Sequence, residues 1–265
     1  MTLLYQCPLC AQALVQHNQS LCCENHHQFD FAKEGYINLL PVQHKKSKQP
    51  GDNLPMVQAR RAFFATDHYV FLQQAIVELI ASYKPNTVLD LGCGEGFYTH
   101  AIANKVNAQI YGVDISKSAI KYAAKRYKNV NFSVASIKQA PLKKQSADVL
   151  LSVFAPIFSD ELHRLCANDG TLLIVSPGPR HLFELKEHIY DDVQVHDATK
   201  APQGFVLHNH TLLETQHTIE TNTIEKLIQM TPFAWKFKDS HYEMLHKSAS
   251  HTVTLSFYLS EFKVA

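Results

Sequence analysis

The sequence predicts an α/β fold, a mostly parallel sheet covered by helices, preceded by a small metal-stapled unit. Three observations predict it. The first is the stretch Val88-Leu89-Asp90-Leu91-Gly92-Cys93-Gly94-Glu95-Gly96-Phe97-Tyr98, which reads as a buried strand, a glycine-rich turn and a helix start. Glycine is used where the backbone must take positive φ or approach a ligand closely. The second is the alternation of short apolar runs with helical patterns from Thr87 onward. Repeated βα units of this length give a parallel sheet with helices on both faces, and ligands bind at the carboxyl ends of its strands. The third is the spacing C-x2-C-x12-C-x3-H over Cys7, Cys10, Cys23 and His27.

The chain of 265 residues is long enough for one large domain and a small one, and 46% hydrophobic residues supply a sizeable core. A net charge of +1 excludes a basic polyelectrolyte, so any nucleic-acid surface must be a local patch. No apolar run reaches membrane-spanning length, and no basic-then-apolar leader precedes Cys7; the expectation is a cytoplasmic protein with no membrane partner. In that compartment the six cysteines are expected as metal ligands or buried thiols rather than disulfides.

Taken in order, residues 1–40 form the small unit. Two thiolates on the Cys7-Pro8-Leu9-Cys10 turn can face one metal, and a second pair across a hairpin completes a tetrahedron. Doubled residues leave an ambiguity, because Cys22 or His26 could substitute on spacing. So small a unit lacks the core to stand without metal, and four protein ligands make the zinc structural. Tyr36 to Pro41 reads as a strand finishing the ribbon. Residues 41–68 are a linker and helix: a basic, turn-rich stretch with Lys45, Lys46 and Lys48, then a helical run with Arg60 and Arg61. These five are candidates for phosphate contact. Residues 69–265 form the main domain. Phe71 to Tyr83 has helical apolar spacing. Strands follow at Val88–Asp90, Ala108–Asp114, Val130–Ala135, Asp148–Val153 and Thr171–Ser176, with a helix from Ser116 as N-cap to Tyr127. The last elements are Phe205–Ile219, a helix near Thr223–Met230 and a strand at Thr252–Leu259.

Asp90 stands at the carboxyl end of the first strand of this series and Asp114 ends the next. An acid there can accept hydrogen bonds from both ribose hydroxyls of a nucleoside. Ser136 ends the third, where this kind of fold cradles an adenine ring. With the turn, these residues resemble the S-adenosylmethionine (SAM) site of a class I SAM-dependent methyltransferase, Rossmann-like with a mostly parallel seven-stranded sheet, here with an N-terminal zinc-ribbon-like domain. An NAD site is the alternative, because it uses a similar turn.

Further segments carry a closer resemblance over essentially the whole chain: Cys7-Pro8-Leu9-Cys10, Ala32-Lys33-Glu34-Gly35-Tyr36, Asn38-Leu39-Leu40-Pro41, Pro177-Gly178-Pro179-Arg180-His181-Leu182 and Met230-Thr231-Pro232-Phe233-Ala234-Trp235. The chain resembles the rRNA large-subunit methyltransferase A family, the 23S rRNA guanine-N1-methyltransferases. The resemblance implies zinc on Cys7, Cys10, Cys23 and His27. It implies SAM contacts from Tyr69, the turn from Gly92 through Gly94, Gly96 and Phe97 to Tyr98, Asp114 and His181, beside the Asp90 that the strand end already offers. It also implies a 23S rRNA hairpin as partner, gripped with help from the zinc unit, and a target such as guanine 745. Phe154-Ala155-Pro156-Ile157-Phe158 is only partly like the family's segment; Phe154 and Phe158 are candidate stacking surfaces for the base. Trp235, the sole tryptophan, is expected in the core, with stacking on a base as the alternative. No general base is assigned; Asp160 and Glu161 either serve or merely open the next helix. A homodimer is compatible with the residues. Two other functions compete: a small-molecule methyltransferase of the same fold, and a non-catalytic RNA-binding protein that holds SAM.

Overall fold

A computed structural model describes residues 3–41, 51 and 53–265. Lys45, Lys46 and Lys48 lie outside the described residues. The chain opens with a three-stranded antiparallel ribbon: β1 (Val15–His17), β2 (Ser20–Cys22) and β3 (Gln28–Asp30). A two-residue strand, β4 (Ile37–Asn38), follows, then helices α1 (Leu54–Phe64) and α2 (Val70–Ser82). The βα alternation comes next: β5 (Thr87–Leu91), α3 (Phe97–Lys105), β6 (Gln109–Asp114), α4 (Lys117–Arg126), β7 (Asn131–Val134), β8 (Ala147–Val153), α5 (Ser159–Leu165) and β9 (Cys166–Pro177). The carboxyl-terminal part is α6 (Phe183–Lys186), β10 (Phe205–Glu220), α7 (Thr221–Gln229), α8 (Asp239–Leu245) and β11 (Ser250–Val264).

The strands order as β10-β11-β9-β8-β5-β6-β7-β4 in one sheet. Strands β4 to β9 run parallel; β11 inserts antiparallel between β9 and β10. The expected seven strands are β5 to β11, and β4 adds an eighth. Its pairing differs from the expectation of a strand confined to the ribbon: Ile37 faces Ser133 and Asn38 faces Val134, in parallel register on the sheet edge. The central strand β5 is buried from Val88 to Leu91, as a strand covered on both faces must be.

Two apolar layers hold the sheet. One gathers Ile76, Ile80, Val88, Ile102, Ile120 and Phe132 under helices α2 to α4. The other joins Leu89, Leu91, Tyr111 and Val113 to Tyr5, Leu14, Leu21, Ile37 and Leu39 from the amino-terminal unit. The ribbon is thus packed onto the sheet. The Tyr5 ring meets Tyr111 edge-on at 5.4 Å, the Leu4 amide donates to the Tyr111 hydroxyl, and the Tyr5 hydroxyl donates to the Asn131 carbonyl. Lys121 pairs with Glu34 at 3.3 Å from the α4 side. Among the described residues, no helix is long and apolar enough to cross a membrane.

Candidate active site and metal centre

Strand β5 ends at Leu91 and the chain turns through Gly92, Gly94 and Gly96 into α3. All three glycines are left-handed, with φ of +85°, +54° and +81°. A Cβ on Gly92 would lie 2.6 Å from the Cβ of Ala155, so the turn abuts the segment after β8. Gly94 faces a looser cradle, where a Cβ would first meet Arg60 Nη1 at 3.8 Å.

Asp114 sits at the tip of β6 beside this turn. Its Oδ2 accepts from the Gly94 amide (2.9 Å) and its Oδ1 from the Ser116 amide (2.7 Å). A carboxylate held this way at a strand tip is the group that can accept from a diol. Asp90 lies beneath, 2% exposed, and accepts from Thr99 Oγ1 at 2.5 Å. Burial, helped by the nearby Asp114 charge, pushes its carboxyl up to about 7. The Tyr98 hydroxyl is buried with no hydrogen-bond partner among the described residues. Such an orphan costs stability unless something satisfies it, so a polar ligand at this turn fits the site. Phe97 stacks on Phe64 at 4.3 Å. Ser136, half-buried past the end of β7, accepts from the Lys138 amide.

The opposite wall comes from β9 and β11. His181 is 8% exposed, and its Nδ1 accepts from the Ser256 amide at 3.4 Å. The ring proton therefore sits on Nε2. Burial, with Lys186 and His196 nearby, lowers its pKa to about 3, so the imidazole is neutral at physiological pH. His181 does not cap a helix: the N-cap of α6 is Leu182. Its ring lies 4.7 Å from Phe257 and 6.1 Å from Phe154. Tyr69, 2% exposed, meets Phe63 and Phe257 edge-on. Phe154 itself is 46% exposed and left-handed at φ +53°, a strained conformation for an aromatic residue. An exposed ring held under strain at a strand tip offers a flat face to a planar ligand. Phe158 is the N-cap of α5 and only half-buried.

Several residues have other employment. Glu161 accepts from the Ala140 amide and pairs with Arg164 at 2.7 Å, a structural bond that opens α5. Arg60 reaches the glycine turn, 3.8 Å from Glu95, and the Arg61 guanidinium covers the Tyr122 ring at 3.6 Å. Gly51, at the far end of the basic stretch, abuts Ile115 and Ser116 beside Asp114. Trp235 overturns the core expectation: it is 79% exposed on a short 3-10 turn, Ala234–Lys236. The sequence reading missed Thr99, Ser256 and Phe257 as site neighbours. Phe257 reads locally as any core strand residue, and only the β9–β11 pairing brings it to His181.

In the ribbon, ligand atoms of Cys7, Cys10, Cys23 and His27 all lie within 4.8 Å of one another. Cys10 and Cys23 sulfurs are 3.6 Å apart, and His27 Nδ1 is 3.4 Å from the sulfurs of both Cys7 and Cys23. Tetrahedral zinc, with bonds of about 2.0–2.3 Å, separates its ligand atoms by roughly 3.4–3.8 Å. The set fits zinc, and the doubled neighbours Cys22 and His26 are not in it.

A glycine turn and an acid at adjacent strand tips, on this sheet order, with a four-ligand ribbon in front, define a SAM-dependent class I methyltransferase carrying structural zinc. Comparison with known proteins agrees. Residues 5–48 match the family model for the zinc ribbon described as RlmA, N-terminal, and residues 83–241 match a methyltransferase-domain model. The chain is 32% identical over 270 residues to the Bacillus subtilis protein YxjB, provisionally named a 23S rRNA (guanine-N1)-methyltransferase, covering 95% of this chain and 94% of that one. It is 30% identical over 241 residues to the 23S rRNA (guanine(748)-N1)-methyltransferase of Streptomyces fradiae, covering 87% and 85%. A solved structure from Anaeromyxobacter dehalogenans, provisionally described as a type II methyltransferase, superposes with a TM-score of 0.50 at 16% identity, covering 72% of this chain and 95% of that one. The chain belongs to the rRNA large-subunit methyltransferase A family of 23S rRNA guanine-N1-methyltransferases.

Proposed function

We propose that this protein transfers the methyl group of SAM to N1 of a guanine in cytoplasmic 23S rRNA, at position 745. The observation that carries the reading is the pairing of a donor-type turn with a zinc ribbon built into the same sheet through β4. The donor supplies a methyl group already activated on cationic sulfur, so the protein's task is positioning. In this reading Asp114 takes the ribose hydroxyls, Gly92, Gly94 and Gly96 let the backbone approach, and Ser136 borders the adenine. Asp90, Phe97 and Tyr98 shape the floor, with Tyr98 offering its unpaired hydroxyl. Tyr69 and His181 close the far side, His181 through its neutral Nε2–H. Phe154 stacks the target base after it leaves its helix. Guanine N1 carries a proton that must depart; Glu161 is already committed to Arg164 and the Ala140 amide, so in this reading water takes the proton.

The test is transfer from tritiated SAM to 23S rRNA lacking this modification, followed by primer extension. A methyl on N1 blocks Watson–Crick pairing and halts reverse transcription next to the modified base. A stop reporting guanine 745 supports the proposal; a stop reporting 748, as the Streptomyces fradiae relative's name indicates for its own target, corrects the position. Labelling of only small metabolites, or RNA binding without transfer, refutes it.

A further inference from the structure

Beyond the donor site, the segment after α6 and the turn at Ala234–Lys236 enclose a groove of about 420 Å³. Its walls include Glu187, Tyr190, Asp191, Trp235, Lys236 and Lys238. Trp235 is 79% exposed, the most exposed large hydrophobic side chain among the described residues, and Tyr190 is 37% exposed. The Lys236 ammonium stands 4.0 Å above the Tyr190 ring and 5.5 Å from the Trp235 ring. An exposed indole beside a cation is costly to leave in water and suited to a flat, electron-rich ligand.

The groove follows the donor-site wall closely in the chain, since its first lining residue is Glu187. Between His181 and Glu187 lie only Leu182 and the four-residue helix α6. Lys186 on that turn meets both His196, at 2.6 Å, and the Phe233 ring two residues before Trp235. Lys186 thus ties the helix that follows His181 to the segment that carries Trp235.

We infer that this groove is a second RNA subsite, in which an unpaired base next to the target guanine stacks on Trp235. The inference rests on the RNA-methylating function proposed above. Sequence-tolerant aromatic stacking with a nearby cation is the chemistry of single-stranded RNA binding. Lys236 and Lys238 suit the phosphates. Glu187 and Asp191 would repel a ligand that offered phosphates alone, but can accept from the amino edge of a base.

Trp235 is the sole tryptophan, so the unmodified protein carries its own probe. A protein-free transcript of the target hairpin should quench the intrinsic indole emission saturably, with the same midpoint as binding followed by anisotropy. Trp235→Ala should weaken hairpin binding roughly 5- to 150-fold, the loss of one base stack. Trp235→Phe should restore most of it, and neither should change SAM affinity measured by calorimetry. Hairpin binding without emission change and unaltered by Trp235→Ala overturns the subsite while leaving the RNA function standing. Hairpin binding that Trp235→Ala weakens but Trp235→Phe fails to restore at all also overturns it, because a stacking ring would then not be what is lost. No hairpin binding at all overturns the subsite, while the transfer assay on 23S rRNA decides the RNA function separately.

Discussion

At the scale of single residues, His181 shows how a site sets its own chemistry. Buried against Phe257, with Nδ1 taken by the Ser256 amide, it stays neutral to about pH 3 when folded. Unfolded, it titrates near 6.5. Between these values the unfolded chain binds the extra proton, so this contribution to stability is present above pH 6.5 and is lost on acidification, at up to about 1.4 kcal/mol per pH unit. Asp90 works in the opposite sense: its folded pKa is raised to about 7, so the stability it brings at low pH is lost as pH climbs from about 4 through 7. The two slopes overlap in the intact protein. His181→Asn should remove one of them, so that the variant gains on the native protein as pH falls from 7 to 5. Urea unfolding at several pH values measures this, and parallel curves would contradict it. Residues that announced themselves in sequence did so through backbone chemistry, as the three left-handed glycines did. Trp235 did not, because the Pro232-Phe233-Ala234-Trp235 run looks apolar while its turn leaves the indole outside.

At the scale of elements, the strands from β5 to β9 and the helices between them were readable within a residue or a few, because buried parallel strands are continuous apolar runs and helices repeat every three to four residues. Strand β9 ran longer than its apolar core, back to Cys166. β4 was not readable as part of the main sheet. It is two residues long, and its partner β7 lies more than ninety positions away, beyond anything local periodicity encodes. Its effect is out of proportion to its length, since Ile37 and Leu39 are 0% and 1% exposed among Leu89, Leu91 and Tyr111. Ile37→Ala should destabilise the protein by about 2–5 kcal/mol, the usual result of truncating a fully buried isoleucine. Chemical denaturation checks the size. A loss below about 1 kcal/mol would mean the edge pairing carries little.

At the scale of the whole molecule, metal and donor sheet are mechanically joined. The ribbon shares a core with the sheet, hydrogen-bonds to it through Tyr5 and Leu4, and is clasped by Lys121 at Glu34. Stripping the zinc should therefore lower the melting temperature of the catalytic sheet as well as unfold the ribbon, and calorimetry should record one transition moving rather than a small one vanishing. A catalytic sheet that melts unchanged after chelation would separate the two. Spacing made a four-ligand metal site legible but left Cys22 and His26 as alternatives; the resemblance implied Cys23 and His27, and the clustering of the ligand atoms agrees. The joint was not legible, because it depends on which side chains meet across the sheet.

That joint limits how such proteins can be recombined. A front module that lends its last strand to its neighbour's sheet is not a cassette, and swapping it between relatives at residue 40 would graft a foreign edge onto β7. A working chimera must exchange Ile37 and Asn38 together with Ser133 and Val134, as a matched seam.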